Sequence, residues 1–166
     1  MAFVVSVSRG HIMKKILLGV FVMDRLPSLG LFLHRVVFGG FMLVGHGWGK
    51  LMSFNDHAGG FPDPLGIGPH ASMAGAVFCE VVCAALLVAG LLTRPAALGL
   101  VFTMAVAGFV VHGADPLFMG NGAAKEPALI YLAGYFLLLF TGPGRYSLDH
   151  LITRDRLRSD HAESRG

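Results

Sequence analysis

Charge is what this sequence has least of. Only 14% of its 166 residues are Asp, Glu, Lys or Arg, while 54% are hydrophobic and the mean hydropathy is +0.66. Soluble globular domains carry about 25% charged and roughly 45–50% apolar residues, so an ordinary soluble domain is excluded. Disorder is excluded as well, because it needs low hydrophobicity and high net charge. Cysteine is scarce: Cys79 and Cys83 are the only two, too few for a disulfide-rich secreted scaffold. Gly-rich nucleotide fingerprints, nucleophile elbows and phosphate loops are absent. What remains is a small integral membrane protein.

A transmembrane helix needs about 20 mostly apolar residues, each rising roughly 1.5 Å. Four stretches qualify: residues 31–52, 72–92, 95–112 and 126–141. The fourth is the shortest, so it either extends upstream of Glu126 or lies in locally thin bilayer. The run Phe61-Pro62-Asp63-Pro64-Leu65-Gly66-Ile67-Gly68-Pro69 interrupts helix, since Pro removes donors and Gly loosens the backbone. The very short link over 90–95 makes the second and third helices antiparallel neighbours. Asp115-Pro116 and Gly120-Asn121-Gly122 are turn chemistry, and Gly142-Pro143-Gly144 stops the fourth helix. The expected organisation is an N-terminal extension over 1–27, a membrane domain over 28–152 and a charged tail over 153–166. Within the extension, 16–23 is too short to span and is expected to lie at the membrane surface, with translation beginning at Met13 or Met23 as the alternative.

Basic residues set the orientation. Arg9, Lys14, Lys15 and Arg25 precede the first span, Arg94 lies in the second connection, and Arg145, Arg154, Arg156 and Arg158 follow the fourth. The first and third connections carry almost none. The positive-inside rule then places both termini in the cytoplasm, which requires an even number of spans. The pI near 9.1 is thereby explained by topology and attraction to anionic lipid, with no nucleic-acid partner implied. The expected fold is an all-α, four-helix membrane bundle.

Few charges remain inside the spans. Apart from Arg35, near the start of the first helix, Glu80 lies most firmly within one. Intramembrane carboxylates are costly and usually face a bundle interior or cavity with a partner. A protonated or hydrogen-bonded packing carboxylate is the competing reading. His46 and Lys50, four apart, share a face of the first helix. His112 closes the third helix, and Glu126 opens the fourth, with Tyr131 and Tyr135 one and two turns deeper. By topology these groups fall in the half of the bundle away from the termini, and together they point to a polar pocket opening on the extracytoplasmic side. Glu80 and His112 are the candidate proton relay. His46, Lys50, Glu80, His112, Glu126 and Tyr131 are the candidate ligand-binding set. Taken singly, each also fits a snorkelling helix-end residue.

Cys79 and Cys83 are four apart on one helix, near disulfide range, but helical side-chain directions make a regular i,i+4 bridge awkward. Packing, thiol redox and metal binding all remain open for them, in that order. Haem between His46 and His112, or a metal among His46, Glu80, His112 and Glu126, rests on thin support, since no Glu-x-x-His pair is present; no metal site is assigned.

The sequence resembles the DoxX family of small membrane proteins over roughly residues 31–152. The resemblance is carried by Asp63-Pro64-Leu65-Gly66, Glu80, Gly90-Leu91-Leu92-Thr93-Arg94 and His112. Its most specific piece runs from Lys125-Glu126 to Gly142-Pro143-Gly144-Arg145-Tyr146-Ser147-Leu148-Asp149. The resemblance implies a four-helix protein of the bacterial inner membrane tied to quinone-dependent sulfur oxidation, thiol-stress defence or protein maturation. It implies no agreed catalytic set.

Three functions follow. The first is a quinone-linked redox subunit working with a redox partner, with quinone as the expected ligand. Here Glu80 and His112 hold the headgroup or move protons, and His46 and Tyr131 support them. The second is a non-enzymatic scaffold that anchors redox proteins through its basic termini. The third is a small-molecule or lipid carrier, which would need a homo-oligomer.

Overall fold

The computed structural model describes residues 25–120 and 122–154. The expected surface segment over 16–23 and most of the charged tail lie outside the described residues. Among those described, all regular structure is helical. Three helices are long and apolar enough to cross a membrane: α1 (Leu26–Met52), α2 (Pro69–Ala89) and α3 (Thr93–Val111). A shorter apolar helix, α4 (Glu126–Thr141), follows them. α1 begins earlier than the apolar pattern alone indicates, because Pro27 is tolerated in its first turn. α4 does not extend upstream of Glu126. Its 16 residues span about 24 Å, short of a hydrocarbon core of about 30 Å.

The core lies where α3 packs along α2 and α4 while α1 closes over α2. Leu87, Ala97, Leu100, Tyr135 and Leu138 are fully buried there. Small residues let the helices approach. A Cβ added to Gly39 would stand 2.8 Å from Val88, and one at Gly134 would collide with the Phe38 ring. The outward surface carries Phe41, Phe78, Phe102, Phe109, Phe136 and Phe140, all exposed. Such a surface belongs in lipid.

The start of α1, the α2–α3 turn and the end of α4 share one end of the domain. A buried polar knot ties them together. α2 stops in a Schellman motif: Leu91 N–H donates to Leu86 O (3.0 Å) and Gly90 N–H to Leu87 O (3.1 Å), with Gly90 left-handed at φ +70°. The fully buried Arg35 guanidinium donates to the carbonyls of Leu87 (3.1 Å), Val88 (3.2 Å) and Tyr146. Carbonyls in a last helical turn lack intrahelical partners, and a cation is favourable there. Asp149 accepts from Leu92 N (2.8 Å) and Thr93 N (2.9 Å), capping α3, while its own N–H donates to Gly90 O (2.9 Å). Burial pushes the Asp149 carboxyl up. Hydrogen bonds from Thr93 and Leu92 and the charge of Arg35 outweigh it and hold the group below its ordinary value.

The connection from α1 to α2 passes through a short helix (Phe54–His57) and a 3-10 turn (Ala58–Gly60). Asp63 then organises the entry to α2. Its carboxylate accepts from Ser72 Oγ (2.7 Å), Gly68 N (2.8 Å) and Ile67 N (3.0 Å). These bonds, that of Ser72 foremost, hold its pKa below the ordinary carboxylate value.

Candidate functional site

The other end of the domain, where the 53–68 and 112–125 connections lie, holds the candidate site. Three helices widen there into π-helical turns: Leu43–Gly47 in α1, Phe78–Cys83 in α2 and Ala107–Val111 in α3. Such turns shift the side chains that follow them and recur at functional sites. Two of them touch directly. A Cβ on Gly47 would stand 2.5 Å from the carbonyl oxygen of Glu80 and 2.9 Å from Val81 Cγ2, so α1 meets the α2 backbone directly at this point.

That close approach sets the central interaction. Lys50 Nζ lies 2.6 Å from both carboxylate oxygens of Glu80. Glu80 is 3% exposed, while the Lys50 side chain keeps 30% of its surface. The lysine stem thus runs inward along α1 and delivers its charge to the intramembrane carboxylate. On α3, His112 follows the π turn, and its ring Nδ1 lies 2.7 Å from Asp115 Oδ2.

Cavities flank the Lys50–Glu80 pair. One, of about 500 Å³, is an apolar slot between α2 and α3, roofed by Phe61, Pro64 and Ile67. Exposed Phe78 and Phe102 stand at its sides, so it opens toward the lipid-facing surface. Lys50, Glu80 and His112 line it, together with the Cys79 thiol. A second cavity of about 320 Å³ lies toward α4, lined by His46, Lys50, Glu80, His112 and Tyr131 and by Ala123 and Ala124 of the connection. The two cavities share Lys50, Glu80 and His112 as a common wall.

The second cavity leads onto an aromatic stack. The His46 ring stands edge-on to Tyr131 (5.6 Å), Tyr131 stacks on Tyr135 (5.9 Å), and Phe38 meets both tyrosines edge-on. His34 stacks on Phe38 at 4.3 Å. Tyr135 Oη donates to Phe38 O at 3.1 Å, which satisfies a fully buried hydroxyl.

Five of the six candidate ligand-binding residues therefore line one cavity: His46, Lys50, Glu80, His112 and Tyr131. Glu126 stands apart. Its carboxylate accepts from Met119 N (3.1 Å) and borders an apolar groove against Val37 and Phe41 of α1. Sequence reasoning did not pair Lys50 with Glu80, because 30 residues and a proline-rich connection separate them. It also missed Asp115, although the i,i+3 spacing from His112 was visible. Among the described residues no three His, Cys, Asp or Glu side chains come together as a metal-binding group.

Helices of this length and apolarity, with an aromatic outer surface, define an all-helical membrane protein. The sequence profile of the DoxX family matches residues 30–113. A protein of Haemophilus influenzae, named only as uncharacterized, is 35% identical over 126 residues, covering 75% of this chain and 90% of that protein. An uncharacterized membrane protein of Mycobacterium tuberculosis is 35% identical over 118 residues, covering 57% of this chain and 69% of that one. No solved structure matches. The chain belongs to the DoxX family.

Proposed function

We propose that this protein is a membrane subunit of a quinone-linked redox system in the bacterial inner membrane. In this reading α1 to α4 all span, both termini are cytoplasmic, and a redox partner protein works with it. The observation that carries the reading is the apolar slot that opens toward lipid and ends on the Lys50–Glu80 pair and His112. A quinone is a flat apolar ring on a lipid-soluble tail, with two carbonyl oxygens that want hydrogen-bond donors. The slot offers apolar walls from Ala76, Phe102 and Val106 and donors from Lys50 and His112. When bound, the quinone would supply two-electron, two-proton chemistry.

The chain's own residues would orient the headgroup and handle protons. Lys50 has more than two donor hydrogens, so it can keep Glu80 and still reach a carbonyl. Glu80 can pass a proton between the slot and the second cavity, because it borders both. His112, whose Nδ1 faces the Asp115 carboxylate, is the second donor when its ring carries both protons. His46 and Tyr131 line the far side of that route. Glu126, bonded to the 112–125 connection, holds the mouth of α4 in place rather than the ligand.

Binding of decylubiquinone to the purified protein tests this. Gly75 lines the slot and a Cβ there would meet nothing within 4 Å, so Gly75→Leu adds bulk at the slot while leaving Lys50 and Glu80 unreplaced. The expected outcome is loss of binding in Gly75→Leu and at least about tenfold weaker binding in Glu80→Gln, equivalent to about 1.4 kcal/mol. Unchanged binding in Gly75→Leu would reject the slot as the site. Unchanged binding in Glu80→Gln would remove the role given to that carboxylate.

A further inference from the structure

Cys79 and Cys83 remain unused by the reading above, yet Cys79 lines its slot. Both are free thiols on the π-helical turn Phe78–Cys83 of α2. In a regular α-helix, residues four apart diverge around the axis, which makes a bridge between them awkward. A π turn closes its hydrogen-bonded ring one residue later, so the side-chain directions of a regular α-helix do not apply to these two cysteines.

The two sulfurs come together at α3, where both rest against one point: a Cβ placed on Gly99 would lie 3.3 Å from Cys83 Sγ and 3.4 Å from Cys79 Sγ. Gly99 thus leaves the space that two adjacent sulfurs occupy. The pair is graded in access. Cys79 is half-buried and lines the lipid-facing slot next to Glu80, while Cys83 is buried behind it. One thiol that faces a ligand, backed by a second that can resolve it, is the arrangement thiol–disulfide chemistry needs.

We propose that Cys79 and Cys83 are a redox-active dithiol that delivers two electrons to a quinone in the slot. This rests on the quinone reading of that slot. Two S–H bonds break and one S–S bond forms between Cys79 and Cys83. The dithiol is oxidised, the quinone is reduced to the hydroquinone, and the two thiol protons end on its two oxygens. Lys50, Glu80 and His112 stand at the slot to carry those protons. The reaction that restores the pair must be thiol–disulfide exchange with a dithiol reductant, which defines the class of partner the protein would need.

The test uses the full chain, reduced, desalted and mixed anaerobically with decylubiquinone in detergent. Four readouts are taken: quinone binding, hydroquinone formed per chain, maleimide-reactive thiols per chain after denaturation, and the linked Cys79–Cys83 peptide by mass spectrometry. The expected result is loss of both thiols, appearance of the linked peptide and formation of one hydroquinone per chain. Cys83→Ser should still bind quinone but form no hydroquinone. Diamide, an oxidant that needs no slot, should close the same disulfide in the folded protein. Quinone binding with both thiols retained would overturn the dithiol assignment and leave the slot reading standing. Failure of diamide to link the two cysteines would overturn the assignment on geometry alone. Absence of quinone binding would overturn both readings together.

Discussion

Lys50 Nζ lies 2.6 Å from each carboxylate oxygen of Glu80, joining α1 to α2 through a nearly buried ion pair. Removing one partner of a buried pair leaves the other uncompensated, at a cost of about 3–5 kcal/mol, whereas replacing both with neutral groups is often nearly neutral. Lys50→Met is therefore expected to lower stability by that order, and the Lys50→Met/Glu80→Gln double variant to recover most of it. Denaturation of the purified variants in one detergent reads this out. Additive losses in the double variant would show that the two side chains do not act as a pair.

The α1–α2 contact beside that pair depends on Gly47. A Cβ there meets the Glu80 carbonyl at 2.5 Å, and backbone cannot yield as a side-chain tip would. Gly47→Ala should destabilise the protein and loosen the Lys50–Glu80 pair. Gly49→Ala, two residues on with open space around it, should be neutral or stabilising by about 0.5–1 kcal/mol through helix propensity. Equal melting temperatures for the two variants would contradict this contact.

At the opposite end, Gly90 is held left-handed, and a Cβ would collide with the Arg35 guanidinium. Gly90→Ala is expected to cost more than the roughly 1–2 kcal/mol of a left-handed non-glycine residue, because it also displaces the guanidinium from Leu87 and Val88. Arg35→Lys should be harmful as well, since a single ammonium cannot reproduce the spread of a planar guanidinium over three carbonyls. Thermal denaturation of each variant checks the ranking, with a neutral Gly90→Ala as the refuting result.

Asp149 makes stability depend on pH. Its folded-state pKa is lowered, so its contribution is complete above the unfolded value and is lost as pH falls through the folded one. Acidification below the ordinary aspartate range should therefore lower the melting temperature. Asp149→Asn should be less stable at neutral pH and show a flatter acid limb. Asp63, also lowered through Ser72 and the amides of Gly68 and Ile67, contributes in the same direction at the entry to α2. An acid limb unchanged in Asp149→Asn would assign the dependence to other groups.

Much of the architecture was legible before any coordinates. Apolar runs located the helices to within a few residues, since a polar backbone can cross hydrocarbon only with its hydrogen bonds made internally. The punctuation by Pro62-Asp63-Pro64, Gly90 and Gly142 was readable for the same local reason: each prescribes a backbone conformation through its own residue type. The purpose of Arg35 was not legible. Its partners are main-chain carbonyls of Leu87, Val88 and Tyr146, and carbonyls carry no sequence signature. The candidate site was legible as a set of polar residues at one end, and its internal arrangement was not. Pairing Lys50 with Glu80 and separating Glu126 from them depend on helix rotation and on π turns that composition does not announce.

The sequence by itself determined that this is a helical membrane protein, where its helices break, and that few charges would be kept within them. Those features follow from local cost, because each apolar or helix-breaking residue acts through its own solvation or backbone geometry. Only the tertiary structure decided which charges meet, that a lipid-facing slot and a second cavity share Glu80 as a wall, and that two thiols converge against Gly99. These depend on how helices rotate and approach, which is set by packing between residues far apart in the chain.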